Sequence, residues 1–313
     1  QIGGDVGHAR RAAELAKCDL VTEMVLEFPE LQGIMGRYYA EHDGEAAEVA
    51  QALEEQYLPR FAADAIPHGR TGLALALADR LDTLTGIFGI GQRPTGTKDP
   101  FALRRASIGV LNILIKGELN LDLRELLELA AAQHQELPYA ESLVNEVLGY
   151  MLDRFRAWGQ DEGISAEAYL AVRARPVTRP LDFARRLRAV QGFAGREEAA
   201  ALAAANKRVS NILTKQGGDA GTQVDTRLLQ EAAEKALHEA LGAQRERVMP
   251  LFAEARYAEA LDALADLREP VDAFFDQVMV MADDEAVRAN RLALLGSLRA
   301  LFLEVADIAQ LQQ

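Results

Sequence analysis

The sequence predicts an all-α protein with two helical domains. Apolar residues recur three or four positions apart along nearly the whole chain, which is the spacing of one face of a helix. No stretch shows the alternation of apolar and polar residues that is typical of a half-buried strand. Two stretches rich in glycine, proline and charge, GQDEGI and RARPVTRP, bracket a short helix between residues 159 and 180. We therefore predict one domain over residues 1–176 and a second over residues 177–313.

The predicted helices begin at recognisable start signals. Proline suits the first helical position because its missing N–H is not needed there, and a helical pattern follows Pro29, Pro100, Pro138, Pro180 and Pro270. Asp99 is a capping residue directly before one of these prolines, so we expect a helix from Pro100 to about Lys116.

Two apolar stripes at helical spacing define further helices. The first comprises Val144, Val147, Leu148, Met151, Leu152 and Phe155. The second follows Asp225, which we predict to be its N-cap. Its members are Leu228, Leu229, Ala232, Ala236, Leu237 and Leu241.

Composition limits the classes of protein that this chain belongs to. Its 313 residues contain a single cysteine, Cys18, which has no partner for an internal disulfide and so favours a reducing, cytoplasmic location. No apolar run reaches the roughly 18 residues that span a bilayer, so we expect no membrane association. Because the sequence opens on Gln1 and is already helical by Arg10, we interpret it as a fragment of a longer polypeptide.

Positive charge is concentrated in two segments of an acidic chain, whose net charge is -14. Basic segment 1, residues 89–116, holds 5 Lys or Arg and 1 Asp. Basic segment 2, residues 171–215, holds 10 Lys or Arg and 3 Asp or Glu. A polyanion responds to the local potential, since the Debye length at physiological salt is only about 8 Å. Both segments are therefore candidate phosphate-binding surfaces.

In basic segment 1 the candidate side chains are Lys98, Arg104 and Arg105, which lie on the loop GQRPTGTK and the helix after it. Backbone N–H groups at the helix start favour a bound phosphate, although the Asp99 carboxylate would compete for them. One alternative is that Arg104 and Arg105 pair with the acidic stretch 117–170. A nucleotide P-loop is a minor alternative, because the lysine is not followed by Ser or Thr and no strand precedes the loop.

In basic segment 2, Lys207, Asn211 and Lys215 are spaced i, i+4, i+8 and share one helix face. The opposite face carries residues suited to a core: Leu202, Ala205, Val209, Ile212 and Leu213. Cations attract phosphates and an amide reads base edges, so this face is typical of an RNA contact. The alternative is an ordinary solvated helix face.

A metal site is the remaining candidate for chemistry. Asp79, within LADRL, resembles the last metal-ligand segment of HD-superfamily phosphohydrolases, whose other ligands would be His8, His42 and Asp43. However, AEHDGEAAE reads as a helix end running into a turn. We predict no metal site, and keep a metal-dependent phosphohydrolase as the alternative that requires these four side chains to converge.

Four long segments occur together and in order: CDLVTEMVLEFPELQGIMGRYYAEHDGE, YLPRFAADAIP, ALADRLDTLTGIFGIGQRPTGTKDPFALRRASIGVLNILI and DALADLREPVDAFFDQVMVMADDEAVRANRLALLGSLRALFLEVADIAQLQ. In these segments the chain resembles the β subunit of bacterial heterotetrameric glycyl-tRNA synthetase. The resemblance covers essentially all of the chain and corresponds to the C-terminal portion of that subunit.

The resemblance implies an HD-like helical domain followed by a DALR-type anticodon-binding bundle. It further implies a cytoplasmic α2β2 complex in which the α subunit uses glycine, ATP and Mg²⁺, while the β subunit binds tRNA(Gly). The fragment is then expected to hold no cofactor and no catalytic residue. A module used only for subunit contacts is the second alternative to this reading. The expected tRNA-binding residues are Lys98, Arg104, Arg105, Arg185, Arg186, Lys207, Arg208, Asn211 and Lys215.

Overall fold

The computed structural model describes residues 2–96, 98–217 and 221–312, with only the backbone of Ala140 and Glu141. These residues form fifteen α-helices and five short 3-10 helices. Within the same ranges the only extended pairing is an isolated bridge between Thr95 and Lys98. The all-α prediction is confirmed. None of the described helices is both long enough and apolar enough to cross a membrane.

The chain divides into two compact units, one of Gln1–Trp158 with Thr178–Leu181 and the other of Gly159–Val177 with Asp182–Gln313. This division differs from the predicted domain boundary in two segments: Thr178–Leu181 packs with the first unit, and the segment 159–176 packs with the second. The helix in this segment contacts the C-terminal turn of the chain, where the Asp307 amide donates to the Ala171 carbonyl at 2.9 Å. That contact joins residues far apart in sequence, so no local signal predicts it.

The first unit is built around one long helix, most of whose residues are buried. This helix, α5, packs against α1, α4, α6 and α7, and its buried side chains include Leu77, Leu84 and Phe88. The helices of this unit are α1 (Val6–Leu15), α2 (Glu23–Glu27), α3 (Ile34–His42), α4 (Ala47–Glu55), α5 (Arg70–Gly89), α6 (Leu103–Lys116), α7 (Leu123–Ala131) and α8 (Ala140–Asp161), of which the last three residues belong to the second unit. Two 3-10 helices, Cys18–Val21 and Pro29–Leu31, flank α2.

The second unit is a helical bundle in which α11 and α12 are the main packing elements. Its helices are α9 (Ala166–Arg173), α10 (Pro180–Ala194), α11 (Glu197–Lys215), α12 (Ala232–Ala253), α13 (Tyr257–Leu264), α14 (Arg268–Gln277) and α15 (Glu285–Leu303). Helix α11 packs against α14 and α15, and α12 packs against α13, α14 and α15. Three 3-10 helices complete the unit: Thr226–Leu228, Ala265–Leu267 and Ile308–Leu311.

Four predicted helix starts are wrong in position. Helix α8 begins at Ala140, two residues after Pro138, and Pro270 is the third residue of α14, which begins at Arg268. Helix α6 begins at Leu103 instead of Pro100, because a turn intervenes and Ala102 adopts the left-handed region with φ 55°. Asp225 caps the 3-10 helix Thr226–Leu228, and α12 begins only at Ala232. A different carboxylate, Glu234, accepts the backbone N–H groups that precede α12. Pro180 does open α10, as predicted.

Candidate nucleic-acid interface

In basic segment 1, one cation is neutralised and others are not. Arg93 pairs with Glu146, with Nη2 and Oε2 2.6 Å apart, and lies over the Tyr139 ring. The acidic stretch 117–170 therefore does supply a partner, but to Arg93. The alternative in which Arg104 and Arg105 make that pairing is not what the structure shows.

The three predicted residues of segment 1 have different surroundings. Lys98 and Arg105 are exposed, and their charged groups have no hydrogen bond or ion pair within the described part of the chain. Arg104 is half-buried, and its Nη2 donates to the Gly96 carbonyl. Of the two predicted arginines on α6, Arg105 is thus the one more available to an external anion.

The start of α6 does not offer the phosphate site that the sequence favoured. Asp99 Oδ1 accepts the Leu103 N–H at 2.8 Å, and Oδ2 accepts the Arg104 N–H at 2.9 Å. The carboxylate therefore occupies the position that a bound phosphate would take. The loop GQRPTGTK follows α5 directly, without the strand that a P-loop requires. Its Thr97 lies outside the described residues.

In basic segment 2, α11 presents the predicted polar face to solvent. Lys207, Asn211 and Lys215 are all exposed. The opposite face is packed as predicted, with Leu202, Ala205, Val209 and Leu213 buried and Ile212 half-buried. The neighbouring Asn206 is buried and donates to the Leu202 carbonyl at 3.0 Å, so it belongs to the core.

Two contacts fix cations on this face. Lys207 Nζ donates to the Gln312 carbonyl at 3.1 Å, which ties α11 to the end of the chain. The guanidinium of Arg208 lies over the Phe275 ring, 4.2 Å from its centroid. A guanidinium stacked on an aromatic ring keeps its charge and its second face available for a base or phosphate. Phe275 has no counterpart in the sequence-based prediction, because it lies on α14, 67 positions along the chain.

On α10 the structure separates two adjacent arginines. Arg185 is exposed, with no polar partner for its side chain among the described residues. Arg186 is engaged internally: it pairs with Asp182 at 2.7 Å, donates to the carbonyls of Glu304 and Val305, and lies 4.3 Å from the Tyr257 ring centroid. Burial, together with the hydrogen bond to Asp182, raises the pKa of the Tyr257 hydroxyl. Arg186 thus has a structural role.

The four candidate metal ligands do not meet. His8 Nδ1 lies 3.0 Å from Glu48 Oε2, and Asp79 pairs with Lys17. His42 is the last residue of α3, and Asp43 is its exposed C-cap. Within residues 2–96, 98–217 and 221–312, no three His, Cys, Asp or Glu side chains are grouped so that they could hold a metal ion. The phosphohydrolase alternative lacks the ligand cluster that it requires in this part of the chain.

Comparisons with known proteins agree with the resemblance. Residues 1–174 match the family model described as the glycyl-tRNA synthetase beta subunit, and residues 202–309 match the DALR anticodon binding domain. The exposed face of α11 lies within the second match.

Relatives named "Glycine--tRNA ligase beta subunit" match the whole chain. The one from Chromohalobacter salexigens is 77% identical over 313 residues, which are 100% of this chain and 46% of the relative. Those from Marinobacter nauticus and Pectobacterium carotovorum are 61% and 57% identical over 99% and 100% of this chain, each match covering 45% of the relative. The chain therefore spans a little under half the length of these relatives. With a family model matched over more than half of its residues, the chain belongs to the glycyl-tRNA synthetase beta subunit family.

Proposed function

We propose that this chain binds tRNA(Gly) as part of a glycine–tRNA ligase, and that the exposed face of α11 contacts the anticodon. The observation that carries the proposal is the position of Lys207, Asn211 and Lys215. All three are exposed on one face of a helix inside the region matched by the anticodon-binding family model. The names of the relatives support glycine as the amino acid.

The side chains on this face would divide the work between affinity and selectivity. Lys207 and Lys215 supply phosphate attraction, which is independent of sequence and sensitive to salt. Asn211 offers a donor and an acceptor to the edge of an unpaired base. Arg208, held against Phe275, extends the surface with a flat cation suited to stacking. Arg185 adds an exposed charge on α10, whereas Arg186 would act by supporting the bundle.

The ligation chemistry would be carried out by a separate α subunit. In this proposal the α subunit binds glycine, ATP and Mg²⁺, and two copies of each subunit form an α2β2 complex in the cytoplasm. The first unit of this chain would be an HD-like domain without hydrolase activity. Its Lys98, Arg104 and Arg105 would face either RNA or the α subunit.

The test is the affinity of the chain for a tRNA with a glycine anticodon and for the same tRNA with a mutated anticodon, across a salt series. Lys207→Ala and Lys215→Ala should weaken the binding of both tRNAs by the same factor. Each variant should lower the slope of log affinity against log salt concentration by about 0.7. Asn211→Ala should instead reduce the difference in binding free energy between the two tRNAs. The expected reduction is about 1–3 kcal/mol, by analogy with the loss of one base contact in DNA.

Lys235→Ala is the matched control, since Lys235 is an exposed lysine of the same unit on α12. It should leave both affinities within twofold of the wild type. If alanine at Arg185, Lys207, Arg208, Asn211 and Lys215 together leaves affinity unchanged at low salt, the anticodon surface lies elsewhere. If the wild-type chain binds neither tRNA, a module for subunit contacts becomes the better account.

A further inference from the structure

The first unit contains a groove with an aromatic floor and a basic rim. It is formed by Pro59, Phe61 and Ala62 of the loop after α4 and by Arg104, Arg105 and Ile108 of α6, and its volume is about 300 Å³. We call it the Phe61 groove. A cavity of this size is at the small end of the range for ligand pockets, so it suits a single base rather than a duplex.

Phe61 is 59% exposed, although phenylalanines such as Phe88 and Phe155 are buried in the same unit. This exposed ring leaves apolar surface in contact with water, which a stacked ligand would cover. It is suited to stacking on a planar ligand that enters the groove.

The loop that carries Phe61 is held from below by two buried side chains. Arg80 Nη1 donates to the Gln56 carbonyl at 3.0 Å, and its Nη2 donates to the carbonyls of Tyr57 and Pro59, both at 3.1 Å. Asn112 Nδ2 donates to the Ala62 carbonyl at 2.9 Å. Because the backbone on both sides of Phe61 is fixed in this way, the loop has little backbone entropy left to lose on binding.

The rim of the groove is electrostatically unbalanced toward positive charge. Arg105 is exposed without a polar partner among the described residues, and Arg104 contacts the Gly96 carbonyl and the Tyr150 hydroxyl, which are both uncharged. The nearby charge of Arg60 is cancelled by Asp64, 2.9 Å away. No acidic side chain is among the described residues that line the groove. A ligand that combines a flat ring with a negative charge is the complement to this surface.

We propose that the Phe61 groove binds an unpaired nucleotide of the RNA, with its base stacked on Phe61 and its phosphate on Arg105. Single-stranded RNA is recognised by this combination of aromatic platform and cation. The proposal rests on the proposed function, because it takes RNA as the partner. It adds a second contact site, in a unit to which the anticodon-binding family model does not extend.

The test is fluorescence anisotropy of the whole chain with three labelled RNAs: tRNA(Gly), a single-stranded oligoadenylate of ten nucleotides, and a blunt ten-base-pair duplex. Phe61→Ala should weaken binding of the oligoadenylate by about 5- to 150-fold, the range for loss of one stacked base. Phe61→Trp should retain the wild-type affinity for the oligoadenylate. The duplex should bind Phe61→Ala and Phe61→Trp with equal affinity. Arg105→Gln should lower the salt slope for the oligoadenylate by about 0.7.

Phe28→Ala and Arg156→Gln are the matched controls, since both residues are exposed in the same unit outside the groove. The inference would be overturned if Phe28→Ala lost as much affinity for the oligoadenylate as Phe61→Ala, or if Phe61→Ala lost as much affinity for the duplex as for the oligoadenylate. The two proposals fail separately. If the wild-type chain binds tRNA and Phe61→Ala does not change oligoadenylate binding, only this inference is wrong. If the α11 variants do not change tRNA binding while Phe61→Ala weakens oligoadenylate binding, only the assignment of the anticodon surface is wrong.

Discussion

At the scale of single residues, the second unit contains an ion pair that is almost wholly removed from water. Arg291 Nε lies 2.6 Å from Glu234 Oε1, and the two side chains are 6% and 0% exposed. Glu234 also accepts two backbone N–H groups, and Arg291 also donates to the Met279 carbonyl. A buried pair with its hydrogen bonds made contributes little net stability, but one partner left alone is costly.

We therefore predict that Arg291→Met lowers the free energy of unfolding by about 3–5 kcal/mol, because it leaves a buried carboxylate unpaired. Arg247→Met is the control. Arg247 pairs with Asp266 where both side chains are more than half exposed, and its loss should cost under about 1 kcal/mol. Urea denaturation measures both values, and equal costs would contradict the prediction.

The same pair predicts how stability depends on pH. Burial alone raises the pKa of Glu234, but the hydrogen bonds from Arg291 and from two backbone amides outweigh it and hold the pKa below its ordinary value of 4.5. The folded state thus binds this proton less readily than the unfolded state. The stability that the ionised Glu234 contributes to the folded state is therefore complete above about pH 5, and it is lost as the pH falls through the lowered pKa. In Glu234→Gln, the free energy of unfolding should therefore decrease less between pH 5 and pH 3 than it does in the wild type.

Gly109 offers a second test at this scale. A Cβ atom there would lie 2.7 Å from Arg80 Nε, whose guanidinium supports the loop of the Phe61 groove. In Gly149, on α8, an added Cβ would meet no heavy atom within 4 Å. Gly109→Ala should therefore destabilise by about 1 kcal/mol net, since strain of about 1–3 kcal/mol exceeds the gain in helix propensity. Gly149→Ala should stabilise by about 0.5–1 kcal/mol, and thermal unfolding distinguishes the two signs.

At the scale of elements, α6 shows how the side chain of a residue that precedes a helix can accept the N–H groups of its first turn. Asp99 accepts two first-turn N–H groups although it lies four residues before Leu103 in the chain. The sequence signal of an acid followed by proline identified the side chain that accepts these N–H groups, but it misplaced both the N-cap, which is Ala102, and the first helical residue. The turn at Pro100 and Phe101, with Ala102 in the left-handed region, depends on packing that a local pattern does not contain.

We predict that Asp99→Ala costs about 0.5–2 kcal/mol of unfolding free energy, the usual range for loss of a capping side chain. Asp153→Ala is its control, because Asp153 is an exposed acid in the interior of α8. Chemical denaturation followed by circular dichroism would compare the two. A cost no larger than that of the control would show that the turn holds α6 without the carboxylate.

At the scale of the whole molecule, charge is distributed so that an acidic protein keeps local basic surfaces, to which the proposed RNA contacts are assigned. The net charge of -14 keeps polyanions away from most of the chain, while basic segments 1 and 2 keep exposed cations such as Arg105 and Lys215. Salt at physiological concentration screens the long-range repulsion more than it screens direct contacts. The proposed binding is therefore governed by the two local surfaces.

The proposed division of labour gives a prediction for the whole chain. Because the proposal assigns glycine and ATP to the α subunit, the chain alone should give no glycine-dependent exchange of pyrophosphate into ATP. A complete two-subunit glycine–tRNA ligase is the positive control in the same assay. Exchange above background by the pure chain, surviving further purification, would contradict the proposal.

The sequence by itself determined the helical class, the buried face of α11 and the two basic segments, because these depend on local spacing and composition. Tertiary structure alone decided which cations are available. Arg186 is tied to residues 118 and 119 positions away, Arg93 to Glu146, and Arg208 to Phe275. It also brought Phe61 beside Arg105 on α6. Such pairings join segments distant in sequence, and the free energy that selects them comes from packing the whole unit, which no local pattern records.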